Sequence, residues 1–400
     1  MKILSISPYF PSEKTGHAGS QYIYRNLTML SRSHSVKSIF FIDDNELALL
    51  NDLTENDIEF EYIIMNRNRF TFQKTIKNLY TLLRAKNNDT PFIAEKYHQS
   101  AMHLLTKKTI ENFKPDIVHI EYNLMHHYAT NSLQVPNILT EHDITTKVKE
   151  RLFNEIKSNS CKKEYHTWQN YEPNILNKFD AFVTLTNEDK DYTSNWNVPP
   201  SYVIPPQFII PNINGLKKNN LSICFMGSFN RKPNVMALEK LLVMFPEIKH
   251  AHPHVKLQIV GKYLPNYIKN RIDQLANVEY MGFILNINEF LFRNVLFVAP
   301  IDIGAGLKMK IPHSLSVGTP VLTTSVGAEG ILISEKNGLW VAKNDKLFIK
   351  QCIDLLKNPD HLIDIKEKCI DAVREIFSPE NVLKKLEKMY LEVIQNYAGA

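Results

Sequence analysis

Short apolar runs at 2–7, 36–42, 117–120, 137–140 and 182–186 alternate with segments of helical spacing, such as Tyr22, Leu27 and Leu30 within 21–30. Strands covered on both faces read as continuous apolar runs, and apolar positions every three or four residues mark amphipathic helices, so the first half predicts a parallel sheet wound with helices. From 198 to 220 the pattern breaks into Pro-Pro, Pro-Asn and Lys-Lys-Asn-Asn. Prolines there remove backbone donors, so no regular element is expected and the hinge is placed in this stretch. A second alternation opens at 222–226 and continues through 257–260, 278–280, 296–299, 320–323 and 339–341. The tail at 378–396 begins with a capping Ser378 and Pro379 and sets Val382, Leu386, Met389, Tyr390 and Val393 on one stripe. That pattern predicts a helix of about five turns that needs a surface to pack against.

Length and composition agree with two units. A chain of 400 residues, 44% of them hydrophobic, is long for a single core and comfortable as two domains of roughly 150–200 residues. The predicted division is 1–205, with 378–400 packing back onto it, and 206–377. A net charge of +5 suits an anionic ligand or membrane surface, and without a basic tail or RNA-binding signature no nucleic-acid partner is expected. Cys161, Cys224, Cys352 and Cys369 are widely spaced and read as reduced packing thiols. No run of 18 uncharged apolar residues occurs, and the opening apolar run meets Pro8 and Pro11 at once, so a cytoplasmic setting is expected.

The most informative stretch runs from 299 to 330 and reads as strand, glycine loop, helix, Gly-x-Pro turn and strand. Gly304 and Gly306 allow backbone amides to approach an anion, a helix expected to start near Leu307 adds its positive end, and Lys308 and Lys310 supply mobile charge. Cations in a first helical turn oppose the helix dipole, so an anionic ligand explains them better than helix stability does.

Pro300, Gly304, Gly306, Lys310, Gly318, Pro320, Val321, Gly327, Glu329 and Gly330 together resemble the donor site of the retaining family-4 glycosyltransferases of the GT-B fold. The resemblance implies an α/β chain of two Rossmann-like domains facing across a cleft, with a nucleotide-diphosphate sugar of UDP or GDP type as donor. It implies that the diphosphate sits on Gly304, Ala305, Gly306, Leu307, Lys308 and Lys310. Gly227, Ser228, Arg231 and Lys232 resemble the strand and loop that open the donor domain, and 278–283, ending at Phe283, resembles the segment lining the base pocket. His313 stands where the family places the glutamate that grips the donor ribose. An imidazole cannot offer two carboxylate oxygens to that ribose. In the first half, the 16–20 segment with Gly19 and Ser20 resembles the family's N-terminal glycine loop, His142 occupies a position that often touches the donor sugar, and Glu121 sits where acceptor-side groups would project.

With Lys310, Arg231 and His142 as the expected catalytic groups and no Asp-x-Asp pair, the implied activity is metal-independent transfer to a glycan or lipid-linked acceptor in cell-surface polysaccharide or glycoconjugate synthesis, with no cofactor. Two alternatives share the fold: a catalytically silent partner subunit, and a sugar-nucleotide epimerase acting on donor alone. A nicotinamide dehydrogenase fits least well, because no Gly-x-Gly-x-x-Gly follows the first strand and no acidic residue suits a ribose contact about 20 residues later. Basic and apolar residues interleave through 67–86, a pattern that fits peripheral contact with an anionic membrane, placing the protein at the inner face. His126, His127, His250, His252 and His254 are expected to be surface residues without acidic co-ligands, and no metal site is expected.

Overall fold

The computed structural model describes residues 1–15, 17–65, 72–87, 90–130, 134–213, 215–216 and 221–399. The chain forms two compact units, Met1–Gln207 with Val382–Ala400, and Phe208–Asn381.

The first unit holds strands β1 Lys2–Ser7, β2 Ser35–Ile42, β3 Glu59–Ile64, β4 Ile117–Glu121, β5 Asn137–Glu141, β6 Ala181–Thr184 and β7 Ser201–Val203. They pair in the order β3-β2-β1-β4-β5-β6-β7, every pairing parallel. The strand order reverses between β1 and β4, and ligands of such sheets bind outside the carboxyl ends at that reversal. β4 and β5 are buried at every residue, whereas the edge strands β3 and β7 are largely half-exposed.

β7 lies inside 198–220, where no element was expected. Phe182 donates its N–H to the Pro200 carbonyl at 3.0 Å. Proline can still accept from a neighbouring strand, and its missing donor costs nothing at an edge, so the flanking prolines delimit a three-residue strand instead of preventing one. The helix Pro379–Ala398 buries Val382, Leu386, Met389, Tyr390 and Val393.

In the second unit β8 Ser222–Met226, β9 Lys256–Val260, β10 Val278–Tyr280, β11 Leu296–Ala299, β12 Val321–Thr324 and β13 Leu339–Ala342 pair in the order β10-β9-β8-β11-β12-β13, again all parallel. The reversal falls between β8 and β11. Among the described residues, no helix is long and apolar enough to cross a membrane.

Candidate functional site

At the β8/β11 reversal, two loops converge. After β8 the chain is tied to its neighbour by Gly227 N–H to Val260 O at 3.1 Å and Phe229 N–H to Lys262 O at 2.9 Å, then enters the helix Lys232–Ala251 with Pro233 in its first turn. Asn234 Nδ2 donates to Ser228 O at 2.8 Å, which aims Oδ1 at Lys310, whose Nζ donates to it at 2.6 Å. Lys310 Nζ also lies 5.1 Å from the centre of the Phe225 ring. Burial, then the nearby charges of Arg231 and Lys308, lowers the Lys310 ammonium to about 7. Three cations therefore gather at this strand end, and a bound anion would relieve their repulsion.

The 304–309 loop differs from expectation in two respects. The helix begins at Lys310, running to Ser316, not near Leu307. Pro312 falls within the first turn, where backbone N–H groups have no intrahelical partner and proline costs nothing. Lys308 is not a mobile charge. Its Nζ donates to Ala305 O at 3.2 Å, Gly306 O at 2.9 Å and the Glu329 carboxylate at 3.2 Å. It ties the loop to the turn after β12. Gly304 (φ 138°) and Gly306 (φ 65°) adopt backbone that a side chain would strain.

Of the remaining expected donor residues, Ser228 donates to Asn230 Oδ1 at 2.8 Å, and Arg231 and Lys232 are exposed at the start of their helix. His313 Nε2 bonds Asn288 Oδ1 at 2.7 Å, linking its helix to Ile287–Arg293. Phe283 is exposed beside β9 and β10, with Lys262 Nζ 4.0 Å above its ring.

The first unit assembles a second cluster at its own reversal. His142 Nε2 meets Glu121 Oε2 at 2.8 Å, its ring stacks on Tyr122 at 3.7 Å and 3°, and Tyr22 stands edge-on at 4.7 Å. Tyr122 holds a strained φ of 70°, a conformation that persists only where surroundings enforce it. Glu121 does not project toward an acceptor. Its side chain is 3% exposed and lies between His142 and His119, whose Nε2 is 3.6 Å from Oε1. It is therefore a partner that orients His142. His119 continues the chain through Nδ1 to Tyr390 Oη at 2.7 Å and Nε2 to Thr140 Oγ1 at 2.6 Å, and burial lowers its pKa.

Gly19 and Ser20 are not in a loop but in the first turn of the helix Ala18–Ser31, where Ser20 N–H donates to His17 Nδ1 at 3.2 Å; Gly16 lies outside the described residues. A Cβ on Gly19 would sit 1.8 Å from Tyr122 Oη, so glycine is required for this close approach.

The histidine expectation also needs correcting. His126 is buried and His127 nearly so, while His250 and His254 are exposed. His126 and His127 lie on the turn Asn123–Tyr128 that leaves β4 and packs inward, so their polar flanking residues misled. Sequence reasoning missed His119, Tyr122 and Asn288 as contributors to these clusters. The signal for His119 was present: it lies two residues before Glu121 in a strand, hence on the same face.

The model described as Glycosyltransferase Family 4 matches residues 47–207, and the one described as Glycosyl transferases group 1 matches 220–358. Each half of the chain thus matches a glycosyltransferase family. This glycosyltransferase is 24% identical over 294 residues, 69% of its length and 74% of the other's, to a Klebsiella pneumoniae protein described as an uncharacterized 44.6 kDa protein in the cps region. Solved structures of similar fold include sucrose-phosphate synthase from Thermosynechococcus elongatus (TM-score 0.70, 14% identity, 100% of both chains). Anabaena HepE in complex with UDP and glucose (TM-score 0.68, 15% identity, 98% of this chain and 100% of that one) and a mutant form of S. aureus TarM (0.69, 12%, 97% and 99%) are further examples. The fold is GT-B, with two Rossmann-like domains.

Proposed function

We propose that this glycosyltransferase retains anomeric configuration, works without a metal ion, and moves a sugar from a UDP- or GDP-type donor to a glycan or lipid-linked acceptor in cell-surface polysaccharide or glycoconjugate synthesis. The observation that carries the reading is the gathering of Lys310, Arg231 and Lys308 at one strand end, with Lys310 held by a neutral amide. As the anomeric C–O bond breaks, both electrons pass to the diphosphate oxygen, and fixed cations placed there stabilise that growing charge more in the transition state than in the ground state. They supply the charge that a divalent ion would otherwise bring. The acceptor hydroxyl oxygen bonds to the anomeric carbon on the leaving-group face and its proton passes to a diphosphate oxygen.

Within this reading the amides of 304–308 and Gly227–Ser228 hold the phosphates, Phe283 offers a ring to the base, and His313, turned by Asn288, stands at the ribose. His142 is assigned to the donor sugar by the family resemblance, and its bond to Glu121 supports that role by fixing the ring's orientation. No cofactor is invoked. The cps-region relative supports polysaccharide synthesis. Leu79, Tyr80, Leu82 and Leu83 on the helix Phe72–Asn87, with Phe92 and Ile93 just beyond, are exposed, which supports peripheral contact with the inner membrane face. The part of the expected membrane segment before Phe72 lies outside the described residues.

The deciding experiment measures nucleoside diphosphate release from a panel of UDP- and GDP-sugars, with acceptor extracts and with EDTA throughout. Release that persists in EDTA and yields an α-configured product from an α-linked donor supports the proposal. Nucleotide binding without turnover would assign a silent partner subunit, and isomerised donor without acceptor would assign an epimerase.

A further inference from the structure

Among the described residues, ligand-type atoms of Glu95, His98 and His127 lie within 4.8 Å of one another. Glu95 belongs to the short helix Phe92–Lys96 and His98 follows three residues later, so both side chains leave one face. His127 comes from the turn after β4. His98 Nδ1 is 3.4 Å from Glu95 Oε1, and His127 Nε2 is 4.0 Å from Glu95 Oε2. The two imidazoles stack at 4.1 Å.

Two features set this group apart from a packed polar cluster. His127 Nε2 is buried and has no hydrogen-bond partner among the described residues. The backbone of Ala94 lies beside the ring, and Nε2 is turned toward Glu95. A ligating histidine is commonly held with one nitrogen donating to a carbonyl and the other kept for the metal. Second, the Glu95 carboxylate is 1% exposed and already bound to a cation, since Arg84 donates to both Glu95 and His98 Nδ1. Arg84 is 31% exposed and His98 36%, so each can turn without unpacking the core.

We propose that Glu95, His98 and His127 form a zinc-binding site, in which the metal displaces Arg84 and clips the 92–98 segment to the turn after β4. Two imidazoles and one carboxylate form a nitrogen-rich set that suits zinc, whereas magnesium and calcium prefer oxygen ligands throughout. A tetrahedral centre with bonds of about 2.1 Å spaces its ligand atoms about 3.4 Å apart. The Glu95–His98 pair has that separation already, and the His98 ring must rotate out of its stack to bring its lone pair to the same point. The fourth position is left to water. This site concerns the stability and positioning of the first unit and is independent of the transfer chemistry above.

The test is titration of chelator-treated full-length protein with zinc chloride by calorimetry, and with cobalt chloride by visible absorption. One equivalent is expected to bind, with four-coordinate cobalt bands and a rise in the melting temperature. Arg84→Gln is expected to tighten binding by removing the competing cation. His98→Ala should weaken it by about tenfold or more, since even loss of an outer-shell partner costs about that much. His98 is the most exposed of the three ligands, so this variant keeps the fold, which circular dichroism verifies. Absence of binding in both native protein and Arg84→Gln, or unchanged affinity in folded His98→Ala, overturns the proposal.

Discussion

Lys310 Nζ rests 2.6 Å from Asn234 Oδ1, a neutral acceptor for a cation that Arg231 and Lys308 also repel. Were this lysine a structural ion-pair member, a carboxylate would be its natural partner, because a buried charge without one is costly. Lys310→Ala is therefore expected to leave the melting temperature unchanged or raised while turnover falls about a hundredfold to a thousandfold, the scale for removing one preorganised charge stabiliser. Steady-state kinetics beside a thermal melt check both halves. A variant that unfolds would instead mark Lys310 as structural.

Burial of Lys310, with the same repulsion beside it, predicts a proton count. With the free ammonium lowered to about 7, an arriving diphosphate supplies opposite charge and raises it again. At about pH 8 the free group is mostly neutral and the bound one charged, so binding should take up close to one proton; at about pH 6 both are charged and uptake should vanish. Calorimetry with UDP and GDP in buffers of differing ionisation enthalpy reads this directly. At about pH 8, where the free nucleotide is already fully ionised, proton release on binding, or uptake unchanged in Lys310→Met, would contradict the assignment.

Glu121 offers a prediction about orientation. Its carboxylate lies between His119 and His142, so Glu121→Ala strands buried polar atoms and should cost about 1–3 kcal/mol of stability in a denaturant titration. Glu121→Gln keeps the volume and one hydrogen bond. It should preserve most stability yet lower turnover with little change in donor KM, because a misdirected His142 still binds within its stack on Tyr122. Equal losses in both variants would argue for packing alone.

The strands that cross the middle of the first sheet were legible because both faces are covered: β1, β4 and β5 carry adjacent apolar residues, Ile3–Leu4, Ile117–Val118 and Ile138–Leu139, where a half-exposed strand would alternate. β3 was not, since an edge strand alternates half-exposed residues such as Glu59 and Glu61 that pair with Lys37. In the candidate site, glycines and lysines on contiguous sequence could be read, but their partners could not. Asn234 meets Lys310 across 76 positions, and Glu329 reaches Lys308 only because β11 and β12 are neighbours. Side-chain direction was equally hidden, so Glu121 read as a projecting group although its strand turns it inward.

Gly19 supplies a test that separates steric from chemical roles. A methyl group there would overlap Tyr122 Oη at 1.8 Å and lie 2.9 Å from Cζ. Gly19→Ala should therefore destabilise the first unit and push Tyr122 off the His142 ring, lowering activity along with stability. Tyr122→Phe removes the nearest atom but leaves the ring carbon, so the double variant should recover part, not all, of the stability lost by Gly19→Ala. Because the residues touch, the two free-energy changes should be non-additive by about 0.5–3 kcal/mol in a double-mutant cycle. Additive losses would show that the tyrosine hydroxyl is not what requires glycine at this position.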